Sequence, residues 1–358
     1  MLTRRTFLAL SVLAATQPRR MLAQGSVATA VTTAATTAGP TRLDVAAIDR
    51  IRILAAASVA LTRLATPSAD LNAEDFLQLT LDIPTLAAAA YVEPQSAALY
   101  TKHAATQLQA WFVTPATRLV ATTPLASPEI LSTLGLLAEL IIALPFLHLP
   151  TALLAELRQW FQQLLTFLTE DRTALLARDA KSHAASSHLL LVSALARFTA
   201  NDAVLADCRH RFKATTLRSQ ITAAGIFPHE LTSQSPYRDS LFNLDLLAGV
   251  CMLLSTRFES VWDYELQDGP GMRAAIARFA PYIRSRRSWP YPADTSHFQQ
   301  LPCRRPALLF AARAYAQPDY AALWLTLNAD PTDSEVLRAF PIRQPLLWTA
   351  QPRRAAAD

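Results

Sequence analysis

The sequence predicts an all-α protein, and three observations carry that prediction. Apolar residues recur at intervals of three and four along most of the chain, as in Val45, Ile48, Ile51, Leu54, Val59, Leu61 and Leu64, which is the pattern of one buried helix face. Only 7 of 358 residues are glycine, whereas Ala and Leu dominate, a composition that favours helices. The 23 prolines fall mostly between apolar stretches rather than within them, where they stop helices.

Residues 1–23 read as an export signal, with a charged start, an apolar run from Phe7 to Ala15 and small residues that suit cleavage after Ala23. Arg4 and Arg5, followed by Thr6, Phe7 and Leu8, resemble a twin-arginine signal, so the expected location is periplasmic or secreted. The apolar run is too short for a stable membrane anchor. Residues 24–42 are small, Thr-rich and aperiodic, and read as a flexible linker; 350–358 read as a flexible tail.

Between them, 43–349 form the expected domain. Helices are predicted over 43–64, 94–111 (with Pro94 in the first turn), 128–144, 151–168, 183–198, 202–223, 240–254, 272–283, 305–314 and 318–327. Their short linkers imply antiparallel hairpins, compatible with a bundle, a solenoid or an α/α toroid. No fixed-period repeat points to the solenoid.

The formal charge is +5, but removing Arg4, Arg5, Arg19 and Arg20 from 33 basic residues leaves 29 against 28 acidic ones. No basic tract remains to suggest a nucleic-acid partner, and the adjacent arginines at 286–287 and 304–305 read as solvated rims. Cys208, Cys251 and Cys303 allow at most one internal disulfide and lack metal-ligand spacing. Neither a Gly-rich phosphate loop, a serine nucleophile elbow nor zinc spacing is present.

Five stretches in order resemble the alginate lyase family: LQAWFVTPATRL from Leu108, RQWFQQLLTFLTED from Arg158, SHAASSHLLLVSALARFTAND from Ser182, GIFPHELTSQSPYRDSLFNLDLL from Gly225, and SWPYPADTSHFQ from Ser288. The resemblance selects the α/α toroid, an incomplete barrel of antiparallel helix hairpins. It also implies an acidic uronate polysaccharide as partner, cleaved by β-elimination with no metal or organic cofactor. That reaction neutralises a carboxylate, removes the C5 proton and protonates the bridging oxygen.

Carried over by position, the family's histidine is His183. Its asparagine falls on Ser182, its arginine on Ser233 and its tyrosine on Asp239. Three of four expected groups are therefore replaced. Tyr237 and Arg238, just upstream, are the candidates to take over with His183. Lys181, Arg118, Trp289 and Tyr291 are the candidate sugar contacts, as charges for a carboxylate and rings for a sugar face. Trp111 reads as core, and Glu230 as an anchor that accepts hydrogen bonds. His188, five residues after His183, is a poor metal partner for it at that spacing. Two outcomes stay open at this point: a lyase with a rearranged centre, or a toroid kept for carbohydrate binding or scaffolding. Oligomeric state is not readable.

Overall fold

The structure, a computed structural model, describes residues 39–63, 67, 73–118, 135–267, 269–329, 331 and 333–353. The export signal, most of the linker, residues 119–134 and the last five residues of the tail lie outside the described residues. Helices occupy α1 (Val45–Ala60), α2 (Ala73–Val92), α3 (Ala97–Leu108), α4 (Leu137–Ala143), α5 (Thr151–Glu170), α6 (Arg172–Arg178), α7 (His183–Phe198), α8 (Asp202–Arg211), α9 (Leu217–Gln220), α10 (Pro236–Leu254), α11 (Met272–Arg284), α12 (Pro306–Ala314), α13 (Pro318–Thr326), α14 (Ser334–Arg338) and α15 (Pro345–Thr349). No strand occurs among the described residues, and none of their helices is long and apolar enough to cross a membrane.

Local chemistry sets the starts. Asp44, Asp171 and Asn201 accept backbone N–H bonds at the first turns of α1, α6 and α8, satisfying donors that a helix start leaves orphaned. Proline stands at the first turn of α10, α12, α13 and α15, where its missing N–H costs nothing.

Side-chain contacts then fix the layers. In α7 and α10, Ser186 reaches Asn243 at 2.6 Å, and a Cβ added at Gly249 would strike Leu190, so the two helices run parallel. Tyr91 and Phe146, at the ends of α2 and α4, meet with ring centroids 5.8 Å apart. Asp245 of α10 accepts from the backbone N–H of Ala307, at the start of α12, at 3.1 Å. The connecting helices return antiparallel: His188 of α7 touches Leu168 of α5, while Phe198 touches Phe161. The result is an α/α toroid with α2, α4, α7, α10 and α12 inside.

The inner position explains the burial. Every residue from Asp239 to Cys251 in α10 and from Ala185 to Ala196 in α7 is buried. Residues 82–90 of α2 are buried on all sides as well. Because inner helices run in one direction, their first turns share one face, where α7 and α10 present His183 and Arg238. Their last turns converge on the opposite face around an apolar groove of about 640 Å³.

Several expected bounds shift. The expected helix 202–223 divides into α8, a π-helical turn (Phe212–Thr216) and α9. The expected start at 240 moves to Pro236. Helices α2, α6, α14 and α15 were not foreseen. All three cysteines are buried.

Candidate functional site

The site grows from the first residues of two parallel inner helices. At α7, Ser182 occupies the N-cap but its hydroxyl caps nothing. The capping is done instead by Glu230, which comes from a 3₁₀ turn (Glu230–Thr232) 47 residues later. Its Oε1 accepts from the His183 backbone N–H at 2.6 Å, and its Oε2 pairs with His183 Nδ1 at 2.9 Å. Asn243 Nδ2 donates to the same Oε1 at 3.1 Å and to Gln220 Oε1 at 2.8 Å. Ser186 Oγ closes this buried network with bonds to Gln220 and Asn243.

The ring of His183 is thus held through Nδ1, with 28% of the side chain exposed and Phe242 packed against it at 5.3 Å between centroids. Burial works against a positive charge there, but the hydrogen bond and charge of Glu230, helped by Asp239 and opposed by Arg238, raise the imidazole pKa above its ordinary value. The result is a partly open imidazole that keeps a proton readily and has Nε2 left for a ligand.

Arg238 and Asp239 stand beside it on the first turn of α10, with Arg238 Nε bonded to Asp239 Oδ1 at 3.0 Å. Asp294 sets that turn: its two oxygens accept from the backbone N–H groups of Tyr237 and Arg238 at 2.8 and 3.0 Å. A carboxylate at a helix start is favoured by the positive end of the helix dipole.

The structure does not bring Tyr237 to this centre. Its side chain points into the core, fully buried, with its hydroxyl donating to the Tyr282 carbonyl at 2.9 Å. Its ring packs against Trp289 and Phe298 at 5.0 and 5.4 Å. Burial pushes its phenol pKa far up, the opposite of what proton abstraction needs. The reason is angular: consecutive helix residues point about 100° apart, so Arg238 facing the site turns Tyr237 inward.

The sugar candidates divide. Trp289 is buried in the same aromatic cluster, its indole N–H donating to the Pro292 carbonyl at 3.1 Å. Tyr291 is half-buried against Trp289. Lys181 is exposed two residues before His183. Arg118 is exposed, ten residues after the end of α3. Trp111 is core, 1% exposed. His188 donates from Nε2 to the Leu168 carbonyl, 2.9 Å away, and is buried apart from His183. Among the described residues, no group of three or more His, Cys, Asp or Glu side chains is placed to hold a metal ion.

Sequence reasoning missed the partners of His183. Glu230 reads in the sequence as an anchor that accepts hydrogen bonds, but nothing local says that it closes on His183 or that Asn243 holds it there.

Residues 62–289 match the sequence model of the family described as alginate lyase, which is more than half of the chain. The chain belongs to the alginate lyase family. Two solved structures are similar to this alginate lyase family member. An alginate lyase from Bacteroides ovatus has TM-score 0.66 and 18% identity, covering 78% of this chain and 76% of that one. Alginate lyase A1-III from Sphingomonas species A1 has TM-score 0.50 and 13% identity, covering 76% and 86%. At these identities the likeness establishes the fold. No protein of curated function matches the sequence.

Proposed function

We propose that this family member cleaves an alginate-like uronate polysaccharide by β-elimination through a rearranged centre, with His183 as its proton-transferring group. The carrying observation is the two-point hold of Glu230 on His183, which orients the ring and leaves Nε2 for substrate. In this scheme neutral Nε2 takes the C5 proton of a uronate, the electron pair forms the C4–C5 double bond, and the C4–O bond breaks. The imidazolium then returns that proton to the departing oxygen, so one group serves as base and acid on the same face of the sugar. Arg238, with Lys181 nearby in sequence, supplies positive charge for the substrate carboxylate. The raised pKa of His183 suits the proton-holding half of this cycle.

The test is ultraviolet absorbance of the unsaturated uronate product when the purified protein meets alginate, mannuronan and guluronan. A rise that His183→Ala abolishes supports the scheme; no rise with any polymer overturns it.

A second reading is recognition of the polysaccharide without cleavage. It is favoured by the inward turn of Tyr237 and by the Arg238–Asp239 bond, which occupies part of the guanidinium. Binding of the same polymers without product formation would support it.

The same proposal places the protein outside the cytoplasm, on the strength of the signal-like residues 1–23. N-terminal sequencing of secreted or periplasmic protein tests it, with Gln24 as the expected first residue.

A further inference from the structure

The last turns of α4, α7 and α10 surround the apolar groove of about 640 Å³, and residues 347–352 close it on one side. That volume lies within the roughly 300–1,000 Å³ of small-molecule sites. The half-buried side chains of its lining are all apolar: Ile142, Leu154, Phe198, Met252 and Ala350. Trp348, also in the lining, turns its indole N–H inward to Glu139 at 3.3 Å. Apolar surface gathered in one concavity marks a place for a ligand or a partner.

The rim of the groove is cationic. Arg158 and Arg197 are exposed lining residues, and no Asp or Glu lines the groove among the described residues. Arg158 lies over the Phe198 ring at 5.6 Å, and no carboxylate among the described residues pairs with it or with Arg197. Arg353 adds a further cation over the Tyr91 ring at 5.1 Å, and Tyr91 packs on Phe146 of the lining. Helix ends carry partial negative charge, but arginines take the last carbonyls of α10 and α15. Arg209 donates to Leu254 at 3.1 Å and Arg313 to Thr349 at 3.3 Å.

An apolar floor beside two arginines without carboxylate partners divides the groove into two kinds of surface. The guanidinium groups match a carboxylate, and the floor matches an alkyl chain. A sugar acid suits this division poorly, because its hydroxyl groups would lie on side chains that return no hydrogen bond.

We propose that the groove binds a fatty acid, an unbranched alkyl chain lying on Ile142, Phe198 and Met252 with its carboxylate between Arg158 and Arg197. Phe198 is fifteen residues along α7 from His183, roughly 22 Å at the helical rise, so binding here is independent of any reaction at His183.

Isothermal titration of the full chain with octanoate, decanoate and decylammonium tests this. Decanoate should bind saturably with one site per chain. Octanoate should bind about tenfold more weakly, at roughly three- to fourfold for each buried methylene, and decylammonium at least tenfold more weakly than decanoate. Arg158→Gln and Arg197→Gln, both at exposed positions, should each weaken decanoate at least fivefold. Met252→Glu, which puts a carboxylate on the floor, should abolish its binding, whereas His183→Ala should leave it unchanged. Circular dichroism checks that each variant is folded, and the arginine pair decides the matter if Met252→Glu is not. Absence of decanoate binding, equal binding of decylammonium, or arginine variants that bind like the parent would each overturn the proposal. A chain that sediments as a dimer and becomes a monomer in folded Met252→Glu would give the groove to a second copy, and would overturn it as well.

Discussion

Glu230 grips His183 at two points, the backbone N–H at 2.6 Å and the ring Nδ1 at 2.9 Å, so one buried carboxylate starts helix α7 and aims its first side chain. Substitution Glu230→Gln keeps one acceptor oxygen, turns the other into a donor and removes the charge that raises the His183 pKa. A raised histidine pKa stabilises the fold below the ordinary imidazole value, and that contribution fades as pH climbs through the raised value. The variant should therefore lose about 2 kcal/mol at pH 6, and less at pH 9. Denaturant unfolding at the two pH values reads the difference; an equal loss at both would assign the role to hydrogen bonding alone.

His188, one turn and a half further along the same helix, carries the opposite dependence. Burial is the main cause that lowers its pKa to about 4, the Leu168 bond offsetting part of it. The unfolded chain binds a proton there that the folded chain refuses, so stability declines as pH falls from about 6.5 toward 4, by roughly 3 kcal/mol. In His188→Gln, whose amide can still meet the Leu168 carbonyl, the melting temperature should fall less over that interval than in the parent.

Tyr237→Phe separates the core from the chemistry. Losing the hydroxyl bond to Tyr282 should cost about 1 kcal/mol of stability, with the rate of product formation within twofold of the parent. A hundredfold loss of rate in a folded variant would mean that the phenol reaches substrate.

The turn that delivers Glu230 depends on Gly225, which sits at φ +75° with the Ala274 carbonyl against the place a Cβ would occupy. Gly225→Ala meets both a left-handed backbone and a backbone clash, and should destabilise by about 2 kcal/mol or more. Calorimetry measures the loss, and loss of His183-dependent activity should accompany any displacement of the turn.

Much of the helical frame was legible because outer helices keep one face wet, and the period of α5 shows in Leu153, Leu157, Trp160, Phe161, Leu164 and Leu168, all buried. Helix α2 was illegible for the converse reason: buried on every side from 82 to 90, it has no polar face to mark a period, and Pro84 interrupts it. The helix start at His183 was legible from the apolar period that follows it. Its clamp was not, since Glu230 is 47 residues away and the contact exists only once α7 and α10 lie parallel. Tyr237 misled because sequence proximity to Arg238 says nothing about the side of the helix each one faces.

The contacts between the first two helices and residues 304–344 bear on how the protein comes into being. Arg304, Arg338 and Gln344 are synthesised long after Asp49, Glu74 and Thr85, the partners that wait for them. During synthesis the first hairpin is therefore an unfinished edge, with the inner helix α2 lacking its last neighbours until nearly the whole chain has emerged. The ring can be closed only by its newest residues, and a chain cut short before residue 304 would be left as an arc.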